Sequence, residues 1–164
     1  MPKQLGMTSS RGSFRASTRC RHNFNYWTFG DYVGVGAGAH GKLTLGNAIF
    51  RTTQYRDPRR YLASDPRHLE RKAVDAADLP FEFMLNALRL VEGFDTSTFE
   101  ERTGLEWDGI SGEIAGLSGR GLLDCTGKRC RPTALGLRFL NDALLAFLPK
   151  NASKTALAKM STAT

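Results

Sequence analysis

The chain has 164 residues, three cysteines and a net charge of +7, which suits one compact domain or two small ones. No stretch of about 18 apolar residues occurs, and the polar, basic start lacks the apolar segment of a secretory signal. These features argue against a membrane span and predict a cytoplasmic protein. An odd, small number of cysteines argues against a disulfide scaffold and predicts reduced thiols.

The positive charge lies in the first half of the chain. Residues 1–72 hold 13 Lys and Arg against four Asp and Glu, whereas residues 73–164 hold ten against 12. This asymmetry suits an anionic partner, such as nucleic acid, a phosphate, a carboxylated cofactor or the rest of a larger protein. It equally suits a solubilising surface, so both interpretations stay open.

The first 65 residues predict few regular elements. Residues 1–18 have no hydrophobic period and are expected to be disordered. A short strand is predicted at Tyr32–Val35, followed by glycines. The sequence KLTLGNAIFRTTQY then predicts a hairpin that turns at Gly46-Asn47. The stretch DPRRYLASDP is bounded by prolines and predicts one helical turn at most.

The first clear helical period spans residues 79–92. Its apolar positions recur every three or four residues and predict one buried face, formed by Phe81, Met84, Leu85, Leu88 and Val91. Asp78 is the expected N-terminal cap, and Gly93 suits the left-handed position after the last turn.

The remaining elements are short and follow the order of a winged-helix unit. A helix at 96–104 should stop at Gly104, and a second helix should bury Ile110, Ile114 and Leu117. A hairpin turning at Thr126-Gly127-Lys128 comes next. The final helix should be capped by Thr133 and should bury Leu137, Leu140, Leu144 and Phe147.

The stretch GAGAHG, residues 36–41, matches the dinucleotide pattern G-x-G-x-x-G. That pattern needs a following helix whose N–H groups hold a pyrophosphate, and the strand-like KLTLGNAIF follows instead. The sequence therefore argues against a dinucleotide site. Glycines here still allow a close backbone approach, either to a ligand or to another strand.

Two further site types fit poorly. The predicted recognition helix, residues 108–120, carries a net charge of −1, so DNA binding is disfavoured although Lys128, Arg129 and Arg131 of the wing could touch phosphate. Cys125 and Cys130 have C-x4-C spacing, but a structural zinc needs four ligands. Two ordinary wing thiols are the preferred interpretation.

The stretch HNFNYW, residues 22–27, concentrates donors and rings around His22. A neutral imidazole is a good axial donor to haem iron, aromatic rings stack on a porphyrin, and arginines pair with its propionates. A packed aromatic cluster is the structural alternative, and a single histidine does not decide between the two.

The order of these blocks resembles one family. The stretches CRHNFNYWTFGDYVGVGAGAHGKL, RTTQYRDPRRYL, PFEFMLNALRLVEGF, RTGL and PTALGLRFLND resemble the C-terminal portion of HemW-type proteins, radical-SAM haem chaperones related to oxygen-independent coproporphyrinogen III oxidase (HemN). The resemblance runs from about Cys20 to Leu148. It implies an α+β fold in which residues 19–65 are a β-rich remnant of a radical-SAM partial (β/α) barrel and residues 75–148 a helical, winged-helix-like C-terminal domain. A leader, 1–18, and a flexible tail, 149–164, complete the expected layout.

The resemblance also implies a site. The family motif H-N-x-x-Y-W, implicated in haem binding, matches His22, Asn23, Tyr26 and Trp27, with His22 as the expected ligand of the haem iron. The glycine segment, with Gly36, Gly38 and His40, corresponds to the side of the barrel that faces S-adenosylmethionine.

The family's 4Fe–4S cluster needs a C-x3-C-x2-C motif, which this sequence lacks. We therefore expect a C-terminal fragment of a HemW-like haem chaperone, without catalytic residues of its own. Its expected partners are haem or porphyrin, the missing N-terminal radical-SAM half and a haem-recipient protein. Part of an oxygen-independent coproporphyrinogen III oxidase and a winged-helix interaction module are the alternatives.

Overall fold

The structure, a computed structural model, describes residues 21–65 and 70–149. Its helices are α1 (Arg21–Trp27), α2 (Pro58–Ala63), α3 (Leu79–Ala87), α4 (Thr96–Thr103), α5 (Ser111–Gly119), α6 (Ala134–Arg138) and α7 (Leu140–Leu145), with a 3-10 turn at Trp107–Ile110. Its strands are β1 (His40–Leu45), β2 (Ala48–Thr53), β3 (Glu70–Ala73), β4 (Phe94–Asp95), β5 (Leu123–Thr126) and β6 (Arg129–Pro132). The predicted α+β class is confirmed.

The first sheet is an antiparallel meander in the order β1-β2-β3. Leu45 faces Ala48 across the first hairpin, so the predicted turn at Gly46-Asn47 is confirmed. Gly46 has a φ of 59°, the left-handed value that only glycine adopts at little cost in such a two-residue turn.

The second sheet, in the order β4-β6-β5, forms the wing. Helices α4 and α5 precede the β5–β6 hairpin and α6 follows it, which confirms the predicted winged-helix order. Gly104, with φ 71°, ends α4 as expected. Ile110, Ile114 and Leu117 are all buried, also as predicted.

One hydrophobic core joins both parts. Phe83 of α3 is fully buried, and its ring lies 5.8 Å from Phe29, 5.2 Å from Phe94 and 5.2 Å from Phe99 in edge-on contacts. Burying one such side chain contributes about 1.5–3 kcal/mol. The loop after α1 and the wing therefore rest on the same aromatic centre.

The helix predicted over residues 79–92 ends earlier, at Ala87. The N–H groups of Arg89 and Leu90 bond carbonyls only three residues back, which tightens the chain into turns up to Gly93, with φ 77°. This change of period buries Leu90 and leaves Val91 58% exposed, so the prediction of a buried Val91 was wrong.

Two other details of the predicted helices also differ. Asp78 itself has helical backbone angles and makes no side-chain cap. The predicted final helix is interrupted at Phe139, which separates α6 from α7. Thr133 does cap α6 by accepting from the Gly136 N–H, but Leu137 is 37% exposed and not inward.

The segment around the glycines is less regular than predicted. Of the proposed strand Tyr32–Val35, only Tyr32 pairs, in a single bridge to Lys42. The aromatic motif forms a helix, α1, which the sequence did not reveal, and α2 is longer than the single turn expected. The predictions for the leader 1–18 and for the tail beyond Pro149 fall outside the described residues.

The cysteines correct one prediction. Cys125 and Cys130 are direct partners across the β5–β6 hairpin, with their Cα atoms 4.0 Å apart, and they form a disulfide. Directly opposed residues project from the same face of a hairpin, which the C-x4-C spacing alone did not reveal. The expectation of reduced wing thiols is therefore wrong for this pair.

Within residues 21–65 and 70–149, no helix has the length and apolar character needed to cross a bilayer.

Candidate functional site

Helix α1 carries the motif expected to contact haem. Its spacing places Asn23 one turn before Tyr26 and Trp27. Asn23 is exposed, whereas Tyr26 and Trp27 are half-buried. The backbone of His22 belongs to the first turn of α1, and its side chain lies outside the part of the chain that the structure describes.

The end of α1 is held by an unusual cap. The Gly30 N–H bonds the Asn25 carbonyl at 2.8 Å and the Phe29 N–H bonds the Tyr26 carbonyl at 3.0 Å, the pairing of a Schellman motif. Phe29 occupies the left-handed position with φ 56°, where glycine is usual, at a cost of about 1–2 kcal/mol. Its ring is 2% exposed, so core packing offsets the backbone strain.

A buried lysine fixes the same loop to the first sheet. Lys42 of β1 is 2% exposed, and its Nζ donates to the Phe29 carbonyl and to Asp31 Oδ1, both at 2.9 Å. The ammonium also lies 4.2 Å from the centre of the Phe29 ring. Thr44 completes the group by donating its N–H to Asp31 Oδ2 at 2.8 Å.

Burial sets the charge balance of this pair. Burial lowers the pKa of Lys42 below its ordinary value, although the hydrogen bond and charge of Asp31 act in the opposite direction. Burial would raise the pKa of Asp31, but the hydrogen bonds from Lys42 and Thr44 outweigh it, and the pKa is lowered. Asp31 is therefore a carboxylate at neutral pH.

A chain of contacts leads from α1 to α3. The rings of Tyr26 and Tyr32 are 4.3 Å apart, tilted by 57°. Arg51 Nη1 of β2 donates to the Tyr32 hydroxyl at 3.1 Å, and Arg51 Nη2 pairs with Glu82 of α3. Tyr26, Tyr32 and Arg51, together with Asn86, border a cavity of about 110 Å³.

The glycine segment closes on its own sheet. A Cβ at Gly34 would lie 2.2 Å from the His40 carbonyl oxygen, and one at Gly41 would lie 2.4 Å from Thr52 Oγ1. Gly36, with φ 110°, donates its N–H to the Tyr61 hydroxyl at 3.1 Å. At Gly34 and Gly41 the close approach is therefore to the chain itself, whereas a Cβ at Gly36 would meet open space.

The predicted residues of the glycine segment lie away from the predicted motif on α1. Gly36, Gly38 and His40 do not line the cavity beside Tyr26. His40 is exposed at the start of β1, with Nδ1 3.4 Å from Thr53 Oγ1.

Sequence reasoning missed Phe29, Asp31, Tyr32, Lys42 and Arg51. Gly30, three residues after the aromatic motif, is typical of a helix end and could have revealed α1. No spacing relates Asp31 to Lys42, because only the fold brings them together.

The cavity beside α1 is too small for a large ligand, which would have to lie on the outer face of this helix. Pockets that enclose an organic ligand usually span about 300–1,000 Å³, and the cavity at Tyr26 is about 110 Å³. The imidazole and phenol of the motif are chemically suitable donors to haem iron. The described residues contain no group of three His, Cys, Asp or Glu side chains placed to hold a metal ion, so they do not fit a 4Fe–4S cluster.

Comparisons with known proteins identify related sequences. Residues 74–139 match the family model of the HemN C-terminal domain. The chain is 42% identical to the heme chaperone HemW of Escherichia coli K12 over 132 residues, which is 79% of this chain and 34% of that protein. It is 37% identical to HemW of Haemophilus influenzae over 135 residues, 82% of this chain and 35% of that protein.

A mammalian relative and a solved structure extend the comparison. The mouse mitochondrial radical S-adenosyl methionine domain-containing protein 1 is 33% identical over 144 residues, 79% of this chain and 32% of that protein. The solved coproporphyrinogen III oxidase (HemN) of Escherichia coli, a radical SAM enzyme, superimposes with a TM-score of 0.47 and 21% identity, over 72% of this chain and 28% of that one. The chain spans about a third of the length of the curated relatives it matches. The expected resemblance is confirmed: the chain is related to the HemW-type proteins and carries sequence of the HemN C-terminal domain.

Proposed function

We propose that this chain forms the C-terminal part of a HemW-like haem chaperone. One observation carries the proposal: proteins named heme chaperone HemW match 79–82% of this chain at 37–42% identity. In the proposed layout, residues 19–65 end the radical-SAM barrel and residues 75–148 form the C-terminal domain. The predicted cytoplasmic location is part of the same proposal.

Haem is the cargo and lies against the open face of α1. His22 supplies the imidazole to its iron, Tyr26 and Trp27 support the macrocycle with their rings, and Asn23 offers an amide at the exposed edge. The scaffold favours this role because the Schellman cap, and the hydrogen bond from Lys42 to the Phe29 carbonyl, hold the end of α1 in one orientation. A pre-ordered surface binds without the entropy cost of fixing it.

Other groups act together with parts of the protein that this chain does not cover. Gly36, Gly38 and His40 face the S-adenosylmethionine side of the completed barrel, and the N-terminal radical-SAM half supplies the 4Fe–4S cluster. A haem-recipient protein accepts the cargo.

Titration of the purified chain with haemin tests the haem contact. We expect a saturable shift of the Soret band, and His22→Ala should weaken binding by about tenfold or more, because one iron–ligand bond is lost. The matched control is His40→Ala, which removes an exposed histidine of the first sheet and should leave the spectrum unchanged. Equal spectra for wild type and His22→Ala would refute the role of His22.

A further inference from the structure

We propose that the cavity between α1, β2 and α3 binds a carboxylate, with Arg51 as its principal donor. The source of that carboxylate rests on the proposed function, under which it is a propionate arm of haem. A free small carboxylate has the same chemistry, and the experiments below separate the two sources.

Arg51 has unused hydrogen-bonding capacity in a fixed orientation. Its guanidinium carries five N–H groups; one donates to the Tyr32 hydroxyl and one to Glu82. The other three have no partner among the described residues. The side chain is 32% exposed, so a ligand can reach it. Guanidinium groups recognise carboxylates through paired N–H donors, and here two anchors already orient the group.

The size of the cavity suits a carboxylate on a short arm. The cavity has a volume of about 110 Å³. A water molecule takes about 30 Å³ in the liquid, so the cavity has room for about three or four groups of that size. A carboxylate with one or two methylene groups has this size, whereas a ring system does not. The wall combines polar tips with apolar surface, from Tyr26, Tyr32, Leu85 and Asn86.

Neighbouring carboxylates balance both positive charges of the cavity. Lys42 also lines the wall, but Asp31 balances its charge. Glu82 balances the charge of Arg51, so an incoming carboxylate would share the guanidinium with it. Binding should strengthen when the Glu82 charge is removed, because like charges repel and the guanidinium is released.

Tyr26 connects this cavity to the proposed haem surface. It belongs to the motif on α1 and its ring also forms part of the cavity wall. A macrocycle supported by Tyr26 thus lies next to the cavity. One of its carboxylate arms can enter while the ring system stays outside.

Titration with sodium propionate, followed by NMR of Arg51 Nε–H and the tyrosine rings, tests the site without haem. We expect a saturable shift in the wild type, a loss of about tenfold or more in affinity for Arg51→Gln, and a gain of several-fold for Glu82→Gln. The matched control is Arg60→Gln, which removes one exposed arginine of α2 and should change nothing. No saturable shift, or weaker binding by Glu82→Gln, would overturn the proposal.

A third variant keeps the test decisive if Arg51→Gln fails to fold. Tyr32→Phe keeps every charge and removes only the hydroxyl that orients Arg51, and we expect a few-fold loss of affinity. Far-UV circular dichroism should show that its fold is unchanged. Propionate affinity equal to that of the wild type would contradict the role assigned to Arg51.

Haemin and its dimethyl ester identify the source of the carboxylate. If a propionate arm enters the cavity, the wild type should bind the ester about tenfold more weakly than haemin. The Arg51→Gln variant should bind the ester and haemin with equal affinity. Equal binding of both by the wild type would overturn the assignment to haem and leave a site for free carboxylates. Absence of any haemin binding would refute the proposed function, whereas the propionate titration judges the cavity independently.

Discussion

Replacement of Lys42 by methionine should test whether the loop after α1 is anchored to the first sheet. Methionine keeps an unbranched, apolar chain in a position that is 2% exposed, but it removes the ammonium. The Phe29 carbonyl then loses the one donor that the described residues offer it, which costs about 1–3 kcal/mol for a buried acceptor.

Two further effects are smaller and oppose each other. Asp31 is 40% exposed, so water can replace its partner and the lost ion pair contributes about 0–1 kcal/mol. Removing a buried charge also relieves some desolvation, which works in favour of the variant. The unpaired carbonyl therefore decides the sign, and we expect a net loss of about 1–3 kcal/mol, or about 3–9 °C in Tm for a domain of this size.

Urea denaturation monitored by circular dichroism and tryptophan fluorescence measures this effect. Lys72→Met is the matched control, since Lys72 is an exposed lysine of β3 in the same sheet, and surface changes usually stay within about 0.5 kcal/mol. The double variant with Asp31→Asn should lose less than the sum of the two single variants, because they share one interaction. If Lys42→Met is as stable as Lys72→Met, the anchoring role is refuted.

Three more outcomes follow from the structure. The pKa of Asp31 is lowered, so this carboxylate stabilises the fold fully above pH 3.8, its ordinary pKa, and the stabilisation is lost as the pH falls through the lowered pKa. Urea midpoints should therefore fall more steeply on acidification for the wild type than for Asp31→Asn. Gly41→Ala should destabilise the fold by more than about 1 kcal/mol, because the new Cβ would press on the Thr52 hydroxyl of β2. Gly112→Ala places its Cβ in open space in α5 and should stabilise the fold by about 0.5–1 kcal/mol. Thermal melts of both variants would contradict this reasoning if they ranked in the opposite order. Mass spectrometry after alkylation should find Cys125 and Cys130 unmodified until a dithiol reductant is added, and labelling without reductant would refute the disulfide.

Local chemistry explains which elements the sequence could predict. Gly46-Asn47 and Thr133 specify a turn and a helix cap through their own backbone preferences and side chains, so both were predicted correctly. The apolar period after residue 79 was also informative, but it continued past Ala87 although the backbone had changed to tighter turns. A repeat of apolar residues does not distinguish these two backbones.

Tertiary contacts explain what could not be predicted. Helix α1 has seven residues and no acidic residue in its first turn, and its end depends on Phe29 adopting a left-handed conformation that core packing stabilises. Lys42 and Asp31 are 11 residues apart and meet only after the sheet has formed. The motif residues Tyr26 and Trp27 could be named from a family resemblance, whereas the groups that support them required the fold.

The shared aromatic core has a consequence for how the chain unfolds. The HemN C-terminal domain match begins at residue 74, yet Phe29 and Ile49, on the other side of that boundary, are buried in the same cluster as Phe83. The Arg51–Glu82 pair also crosses it. A boundary drawn from sequence similarity is therefore not a boundary of cooperativity. Both parts should melt in a single transition, and residues 74–148 produced alone would expose the apolar surface that Phe29 and Ile49 cover.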